Sequence, residues 1–340
     1  MPEALTIGLL IPTHEADPEL VRGQLPGQTI VPIPDCAALD EAALLSRLRA
    51  LDAVAISRAS PRIPDALIGN RGRLRQVSYT AGSIRHLVSK ALIEDGLLVT
   101  NWGDQVAHVA EAALMFLLAG LKQVHTLDAF IRSDWRDDRR VFQDFPATIN
   151  GRDIGLYGFG PIGRHMARYI GALGAKVAIY DPYAKDVPAG IRVCPDLRTL
   201  FATCQCISIH CGLNDGTRGT VTRELLELLP QGAVLVNTAR GAIINEADLV
   251  AVLPSKRIIA CLDVLENEKT WATGALSTIP SNLLLLTGHI AERGKGPDRS
   301  KPRPPIKSGL PDHVVAALAA LAEGRTPPHQ ITAAQYDLKT

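Results

Sequence analysis

The sequence has no excess of charge of either sign and no long apolar run. Its 340 residues carry 36 Lys+Arg against 35 Asp+Glu, so no overall field attracts the chain to nucleic acid or to an anionic membrane. No apolar stretch approaches the roughly 20 residues that cross a bilayer, and the opening MPEALTIGLLIPTHE has no basic region before its apolar run. We therefore expect no transmembrane helix, no signal peptide, and small molecules as partners, with no nucleic acid and no membrane.

Cysteine is sparse and irregularly placed. The six cysteines have neither the dense spacing of a disulfide framework nor the paired CxxC of a zinc site. Cys204 and Cys206 are the closest pair, and they lead into an apolar stretch that indicates buried thiols. These observations predict no metal site and a reducing, cytoplasmic location.

Length and apolar content predict two folded domains. A chain of 340 residues exceeds what one compact core usually holds, and 46% hydrophobic residues exclude a disordered chain. Short apolar runs alternate with helical patterns through most of the sequence, which is typical of βαβ units around parallel sheets. We predict strands at 6–11, 53–56, 74–79, 153–157, 176–180, 206–210, 233–237, 258–264 and 283–287.

The connections include helical, charged and proline-rich segments. Residues 105–124 have an apolar-rich helical pattern that predicts one long core or interface helix. The charged stretch 132–140 predicts a loop. The proline-rich stretch 294–311 predicts an exposed segment that cannot hold a continuous helix. An alanine-rich helix is expected at 312–323.

The most specific local signal is the glycine-rich turn GFGPIG at 158–163. A bare GxGxxG is common by chance, but here a strand precedes it and a helix and another strand follow. Glycine lets the backbone turn tightly and approach a pyrophosphate, and the helix start offers free N–H groups at its positive end. A turn that binds nothing is the alternative. We predict five dinucleotide-binding residues here: Gly158, Gly160, Pro161, Ile162 and Gly163.

An acid follows the next strand, at Asp181. A carboxylate at this position accepts hydrogen bonds from the adenine-side ribose hydroxyls and repels a 2′-phosphate. Asp181 therefore predicts NAD as the cofactor in preference to NADP. A simple turn acid before Pro182 is the alternative.

Charged side chains follow three predicted strands in the second half of the chain: Arg240, Glu268 and His289. In an open parallel sheet ligands bind at the carboxyl ends of the strands, so we expect these side chains to converge. A guanidinium can hold a carboxylate and a keto oxygen, an imidazolium can donate a proton, and a nearby carboxylate stabilises the imidazolium. The set suits hydride transfer to a 2-keto acid, whereas singly each residue could be a surface ion pair, a solvated acid or a structural histidine.

At these positions the sequence resembles the D-isomer-specific 2-hydroxyacid dehydrogenases. Five segments occur in the family's order: GLYGFGPIGR, IYDPY, HCGLNDGTRG, VNTARGAIIN, and LDVLENE followed by TGHIA. The resemblance covers nearly the whole chain. It implies an α/β protein of two doubly wound domains, a flavodoxin-like substrate domain at 1–100 and 290–340 and a Rossmann NAD-binding domain at 101–289. It also implies a homodimer that uses NAD to interconvert a 2-keto acid and a D-2-hydroxy acid.

The resemblance also implies a role for each matching residue. Arg240 would bind the substrate, Glu268 would pair with the histidine, and His289 would be the general acid and base. Asp263 would hold the nicotinamide carboxamide. The residues along the cofactor would be Thr217, Thr238, Ala239 and Asp263. The loop that binds the substrate carboxylate through backbone N–H groups would comprise Ala81, Gly82 and Ser83.

The sequence departs from the family's pattern near these residues. Gly288 stands where the family has proline before the histidine, and Lys269 where it has proline after the glutamate. Both changes loosen loops that aim catalytic groups. The first-domain loop carries Ile84 where the family has an acid. The following Arg85 is either a second contact for an anionic substrate or a surface charge.

Three alternatives to this activity differ in what they require. A regulatory protein of the same fold would bind NAD(H) with little or no turnover, and the loosened loops keep this reading open. Similar formate dehydrogenases place glutamine where Glu268 stands, and similar phosphite dehydrogenases place lysine where Ala81 stands. The sequence therefore disfavours formate and phosphite as substrates.

Overall fold

The computed structural model describes residues 3–12, 15–103, 106–133, 147–269, 273–291 and 309–339. The chain divides into two compact units: a first unit of Met1–Gln105 with Lys295–Thr340, and a second unit of Val106–Gly294. Each unit is built around one parallel sheet. The predicted fold class, α/β with two doubly wound domains, is confirmed.

The described part of the chain contains the following strands and helices. The strands are β1 (Thr6–Leu10), β2 (Thr29–Pro32), β3 (Ala53–Ile56), β4 (Gln76–Tyr79), β5 (Leu98–Thr100), β6 (Asp153–Tyr157), β7 (Lys176–Tyr180), β8 (Arg192–Val193), β9 (Cys206–Ile209), β10 (Val234–Asn237), β11 (Ile259–Leu262) and β12 (Leu284–Leu286). The helices are α1 (Pro18–Gln24), α2 (Glu41–Arg49), α3 (Lys90–Glu94), α4 (Ala107–Lys122), α5 (Val124–Ser133), α6 (Pro161–Ala172), α7 (Leu197–Thr203), α8 (Arg223–Leu226), α9 (Glu246–Lys256), α10 (Asp312–Ala322) and α11 (Ala333–Lys339).

The first unit has a five-stranded sheet in the order β2-β1-β3-β4-β5, which is the flavodoxin-like order. Its central strand β3 is buried on both faces, as expected for a strand that helices cover on both sides. Val54 and Ile56 pack in one core with residues of α2 and α3. Ala53 and Ala55 pack in a second core with residues of α1 and α10.

The C-terminal helices complete the first unit. His313 of α10 is buried, and its Nε2 lies 3.1 Å from the carbonyl oxygen of Tyr79, at the end of β4. Tyr336 of α11 donates its hydroxyl proton to the carbonyl of Val88 at 2.6 Å. The end of the chain is thereby fixed to the strands of the N-terminal segment.

The second unit has a seven-stranded sheet in the order β12-β11-β10-β9-β6-β7-β8. The order reverses at β6, so β6 and β9 flank the switch point at which Rossmann sheets bind their ligands. Helix α4 packs closely on β10 and β11: a Cβ on Gly120 would lie 2.7 Å from Val234 and 3.0 Å from the Cys261 sulfur. The glycine is what allows this approach.

Two helical predictions were partly wrong. The single helix predicted at 105–124 is instead α4 and α5, separated at Gln123, which adopts a left-handed φ of 48°. Arg132, predicted to begin a loop, lies in α5, where its Nε is 2.9 Å from Asp128 one helical turn earlier. The rest of 132–140, apart from residue 133, lies outside the described residues, as does 294–308 of the proline-rich stretch.

No single helix within the described ranges is long and apolar enough to cross a membrane. Of the helices described, only α4 and α5 together have that length and apolar composition, and they are bent by 54° relative to each other. Within the same ranges no cluster of three or more histidine, cysteine or acidic side chains could hold a metal ion. All six cysteines are free thiols.

Candidate active site

The glycine-rich turn joins β6 to α6 and has the backbone geometry of a ligand cradle. Gly158 has a φ of 101°, and a Cβ on Gly163 would lie 2.3 Å from the Gly158 carbonyl oxygen, so both positions require glycine. Gly160 is the N-cap of α6, provides no side-chain cap, and its missing Cβ would point into open space. Protein packing therefore does not explain Gly160, whereas the approach of a phosphate group to the helix start does.

Asp181, directly after β7, is held by the turn itself. Its Oδ2 accepts a hydrogen bond from the N–H of Phe159 at 2.7 Å, and its Oδ1 accepts one from the N–H of Tyr183 at 2.8 Å. Each oxygen retains a lone pair for a further donor. The carboxylate is therefore fixed beside the glycine-rich turn. It follows β7, which is the neighbour of β6, the strand that leads into the turn.

Four residues form a row along the carboxyl edge of the sheet, each directly after one of four adjacent strands: Gly158, His210, Thr238 and Asp263. Both ring nitrogens of His210 and the hydroxyl of Thr238 are buried, and none has a hydrogen-bond partner among the described residues. Burial lowers the pKa of His210 to about 3, so its ring is neutral at physiological pH. Buried polar atoms without partners are uncommon, and a bound dinucleotide would supply partners at this edge.

Thr217 and Ala239, the other residues assigned to the cofactor, shape loops at the same edge. The Thr217 hydroxyl donates to the carbonyl of Gly212 at 2.7 Å and accepts from the N–H of Asn214 at 2.8 Å. Ala239 donates its N–H to the side chain of buried Asn237 at 3.0 Å. The hydroxyl of Thr217 thus closes its own loop, and the N–H of Ala239 is bound within the loop after β10.

Cys211 lies next to His210 and close to Asp181 and Tyr157. Burial raises the pKa of the Cys211 thiol to about 12, although its hydrogen bond with Tyr157 acts in the opposite direction. Burial also raises the pKa of the Tyr157 hydroxyl, which lies 3.1 Å from the hydroxyl of Thr220. Both groups stay protonated at neutral pH, so Cys211 is not a thiolate nucleophile.

Arg240 follows β10 on a tightly folded loop. Its Nη1 donates to the carbonyl of Ala239 at 2.7 Å, and its own carbonyl accepts from Asn237 Nδ2 at 2.9 Å. A Cβ on the next residue, Gly241, would lie 2.0 Å from the carbonyl carbon of Leu265. The arginine loop therefore packs against the chain segment that leads to Glu268.

Glu268 and His289 meet. Oε1 of Glu268 lies 2.8 Å from Nδ1 of His289, and the two side chains are 46% and 28% exposed. His289 has a left-handed φ of 54°, and its N–H donates to the carbonyl of Asp263 at 2.8 Å. With Nδ1 on the carboxylate, Nε2 is the ring atom available to a substrate.

The first unit carries the predicted carboxylate loop after β4. Among the described residues, the backbone N–H groups of Ala81, Gly82 and Ser83 donate no hydrogen bond. Successive N–H groups without a partner within the protein are suited to bind an anion. Arg85, just beyond, has its guanidinium carbon 5.9 Å from the centre of the Tyr336 ring.

Several residues that shape these loops were not predicted from the sequence. Asn101 donates its Nδ2 to the carbonyl of Gly82 at 2.7 Å, and the indole of Trp102 lies where a Cβ on Gly82 would be, at 2.6 Å. Both follow β5, so prediction of that short strand would have found them by their position after a strand. The orphaned nitrogens of His210 and the partners of Asp263 have no signal in the sequence.

Comparison with known proteins identifies the family. Residues 114–291, more than half of the chain, match the family described as D-isomer specific 2-hydroxyacid dehydrogenase, NAD binding domain. Among curated relatives, a D-3-phosphoglycerate dehydrogenase of Methanocaldococcus jannaschii is 29% identical over 66% of this chain and 43% of its own length. A glyoxylate/hydroxypyruvate reductase of Arabidopsis thaliana is 30% identical over 62% of this chain and 65% of its own length. The chain thus spans less than two thirds of these two relatives.

Solved structures share the fold over the whole chain. An NADPH-dependent glyoxylate/hydroxypyruvate reductase from Sinorhizobium meliloti, in complex with NADP and malonate, has a TM-score of 0.70 at 24% identity and covers 98% of both chains. A D-lactate dehydrogenase from Treponema pallidum has a TM-score of 0.70 at 19% identity and covers 96% of this chain and 99% of its own. With its family match, its NAD-binding second unit and its two doubly wound sheets, the chain belongs to the D-isomer specific 2-hydroxyacid dehydrogenase family.

Proposed function

We propose that the protein is an NAD-dependent oxidoreductase that interconverts a 2-keto acid and a D-2-hydroxy acid. The contact between Glu268 and His289, 2.8 Å long, carries this proposal. A carboxylate on Nδ1 fixes the ring orientation and stabilises the imidazolium, which leaves Nε2 to exchange a proton with the substrate oxygen. The pair belongs to the same unit as the glycine-rich turn.

The reaction divides between the cofactor and these side chains. The nicotinamide of the bound dinucleotide supplies the hydride in reduction and accepts it in oxidation. In reduction, the imidazolium of His289 donates its Nε2 proton to the keto oxygen as the C–H bond forms. In oxidation, the neutral ring takes the hydroxyl proton, and Glu268 stabilises the resulting imidazolium. Bonds and charges balance in both directions without a further reactant.

Each unit, taken by itself, has donors that suit an acidic substrate. In the first unit these are the N–H groups at Ala81, Gly82 and Ser83, which would bind the carboxylate. In the second unit it is the guanidinium of Arg240, whose planar fork matches a carboxylate and an adjacent keto oxygen. In the free protein its Nη1 bonds to the Ala239 carbonyl, and substrate would replace that contact. In this proposal the first unit is the substrate domain and the second the NAD-binding domain; the sequence prediction for these domains is 1–100 with 290–340 and 101–289.

The cofactor residues fit the dinucleotide. Gly158, Gly160, Pro161, Ile162 and Gly163 would cradle the pyrophosphate, because the uncapped start of α6 offers N–H groups beside an open Gly160. Asp181 would bind the ribose hydroxyls and favour NAD over NADP, because its two backbone partners hold the carboxylate in place. Thr217, Thr238, Ala239 and Asp263 would line the remaining edge.

The partner and location follow from surface and composition. Exposed apolar side chains on α4 and α5, namely Met115, Val124 and Ile131, support a homodimer through these helices. Six free thiols, five of them buried, support a reducing, cytoplasmic location.

A panel of 2-keto acids, assayed by nicotinamide absorbance with NADH, tests the proposal. We expect saturable turnover with at least one acid and loss of turnover in His289→Asn, with NADH binding retained. His165→Asn, a change on α6 away from the strand ends, is the matched control and should keep full activity. Tight NADH binding without turnover on any acid would instead support a regulatory protein.

A further inference from the structure

The loop that carries His289 lacks the proline, and with it the backbone rigidity, that the family resemblance implies before the histidine. Gly288 stands in place of proline, and its missing Cβ would touch nothing within 4 Å, so packing does not restrain it either. Glycine leaves the preceding backbone free to rotate. Yet His289 holds a left-handed φ of 54°, which costs energy for a residue with a side chain.

Asp263 accepts four hydrogen bonds from this loop. Its Oδ1 accepts hydrogen bonds from the N–H of Ile290 at 2.9 Å and from the hydroxyl of Thr287. Its Oδ2 accepts from the N–H of Ala291 at 3.0 Å, and its carbonyl accepts from the N–H of His289 at 2.8 Å. Donors on both sides of the histidine therefore converge on one side chain.

Burial makes these bonds strong. Asp263 is 2% exposed, and among the described residues no lysine, arginine or histidine forms a salt bridge with it. A buried carboxylate without a cationic partner depends on its hydrogen-bond donors, and such charge-assisted bonds are about twice as strong as neutral ones. Loss of one donor would therefore weaken the hydrogen bonding that holds the whole loop.

We propose that Asp263 and Thr287 are positioning residues that replace the missing proline and keep His289 in the left-handed conformation that brings Nδ1 to Glu268. This proposal rests on the proposed role of His289 in proton transfer. A carboxylate offers about four acceptor sites, and three are occupied, so one remains for the nicotinamide carboxamide. Asp263 would then connect the cofactor to the orientation of the acid.

Thr287 separates the two roles of Asp263, because its hydroxyl donates to the carboxylate and no cofactor contact is assigned to it. Thr287→Val keeps the shape and removes the donor, and Thr287→Ser keeps the donor. Thr278→Val is the control, since that hydroxyl bonds a backbone carbonyl in a separate turn. Three measurements are needed for each protein: the NADH dissociation constant, kcat with its KM, and the far-downfield NMR signal of the His289 Nδ1 proton, assigned by its loss in His289→Asn.

We expect Thr287→Val to lower kcat about tenfold to a hundredfold, as misplacement of a catalytic group does, and to weaken or broaden the Nδ1 signal. NADH affinity should stay within about twofold, and Thr287→Ser should restore both kcat and the signal. An unchanged signal in Thr287→Val would overturn the proposal, as would a loss of NADH affinity equal to the loss of kcat. If the wild-type protein turned over no 2-keto acid, the proposed function would fail, while the signal and its dependence on Thr287 would still test the positioning.

Discussion

The Nδ1 atom of His289 lies 2.8 Å from Oε1 of Glu268, although Gly288 and Lys269 stand at the two positions where the family resemblance implies proline. The two residues lie 21 positions apart in sequence, on loops that follow different strands, β11 and β12. The contact therefore depends on long-range hydrogen bonds to the loops. It is also the contact on which the proposed proton transfer depends.

Replacement of Glu268 by glutamine should lower kcat about tenfold to a hundredfold, because the neutral amide no longer stabilises the imidazolium. The dissociation constant of NADH should not change, since Glu268 is not assigned to the cofactor. Steady-state kinetics with fluorescence titration of NADH provide both values. Glu266→Gln, two residues earlier on an exposed position, is the control. Equal losses in the two variants would contradict a specific role for Glu268.

Thr238→Val should stabilise the cofactor-free protein and weaken NADH binding. The Thr238 hydroxyl is buried without a partner among the described residues, and replacing it with a methyl group removes a desolvation cost of about 1 kcal/mol. Urea unfolding without NADH measures the first effect, and a binding titration measures the second. Thr238→Ser retains the hydroxyl and should bind NADH like the wild type. Unchanged affinity in Thr238→Val would remove this residue from the cofactor site.

His210 should make the cofactor-free protein less stable in acid. Its pKa is lowered from 6.5 to about 3 by burial, so between these values the unfolded state binds more protons than the native state. The free energy of unfolding therefore rises with pH across this window and is lost as the pH falls through it. From pH 7 to pH 5 the expected loss from this one group is about 2 kcal/mol. Urea unfolding at both pH values should show a smaller loss for His210→Asn; an equal loss would refute the assignment.

Asp181→Asn should reduce the preference for NADH over NADPH. Asparagine keeps one acceptor oxygen for the backbone of the turn but lacks the charge that repels a 2′-phosphate. We expect the ratio of the NADPH and NADH dissociation constants to fall about tenfold, which corresponds to about 1.4 kcal/mol. Asp128→Asn, an exposed acid on α5, is the control. Equal affinities for the two cofactors in the wild type would already contradict the role given to Asp181.

Much of the fold could be predicted because short apolar runs between helical patterns form buried strands. The predicted strands 53–56, 153–157 and 176–180 agree with β3, β6 and β7 residue for residue. The short strands β2, β5 and β8 were missed. Two of them, β2 and β8, lie at a sheet edge and have partly or fully exposed residues, so their sequences show little apolar pattern. The break at Gln123 was also missed, because a left-handed residue other than glycine has no reliable signal.

The candidate site could be predicted only as far as position after a strand determines it. That rule pointed to Arg240, Glu268 and His289, and the family resemblance added Asp263. It could not identify the bonds between Asp263 and the loop at 287–291, because these join residues 24 to 28 positions apart and depend on loop conformation. Asn101 was not predicted because β5, the strand before it, was not recognised.

The amide of Asn101 fixes the backbone of the loop at 81–83, which is proposed to bind the substrate carboxylate. It holds the Gly82 carbonyl at 2.7 Å through Nδ2 and receives the N–H of Gly103 at 2.9 Å on Oδ1. Because the peptide unit is planar, fixing the Gly82 carbonyl also turns the N–H of Ser83 to the opposite side. Asn101 thus holds the loop in one orientation, so binding of a substrate carboxylate there, as proposed, would not be weakened by a rearrangement of the backbone.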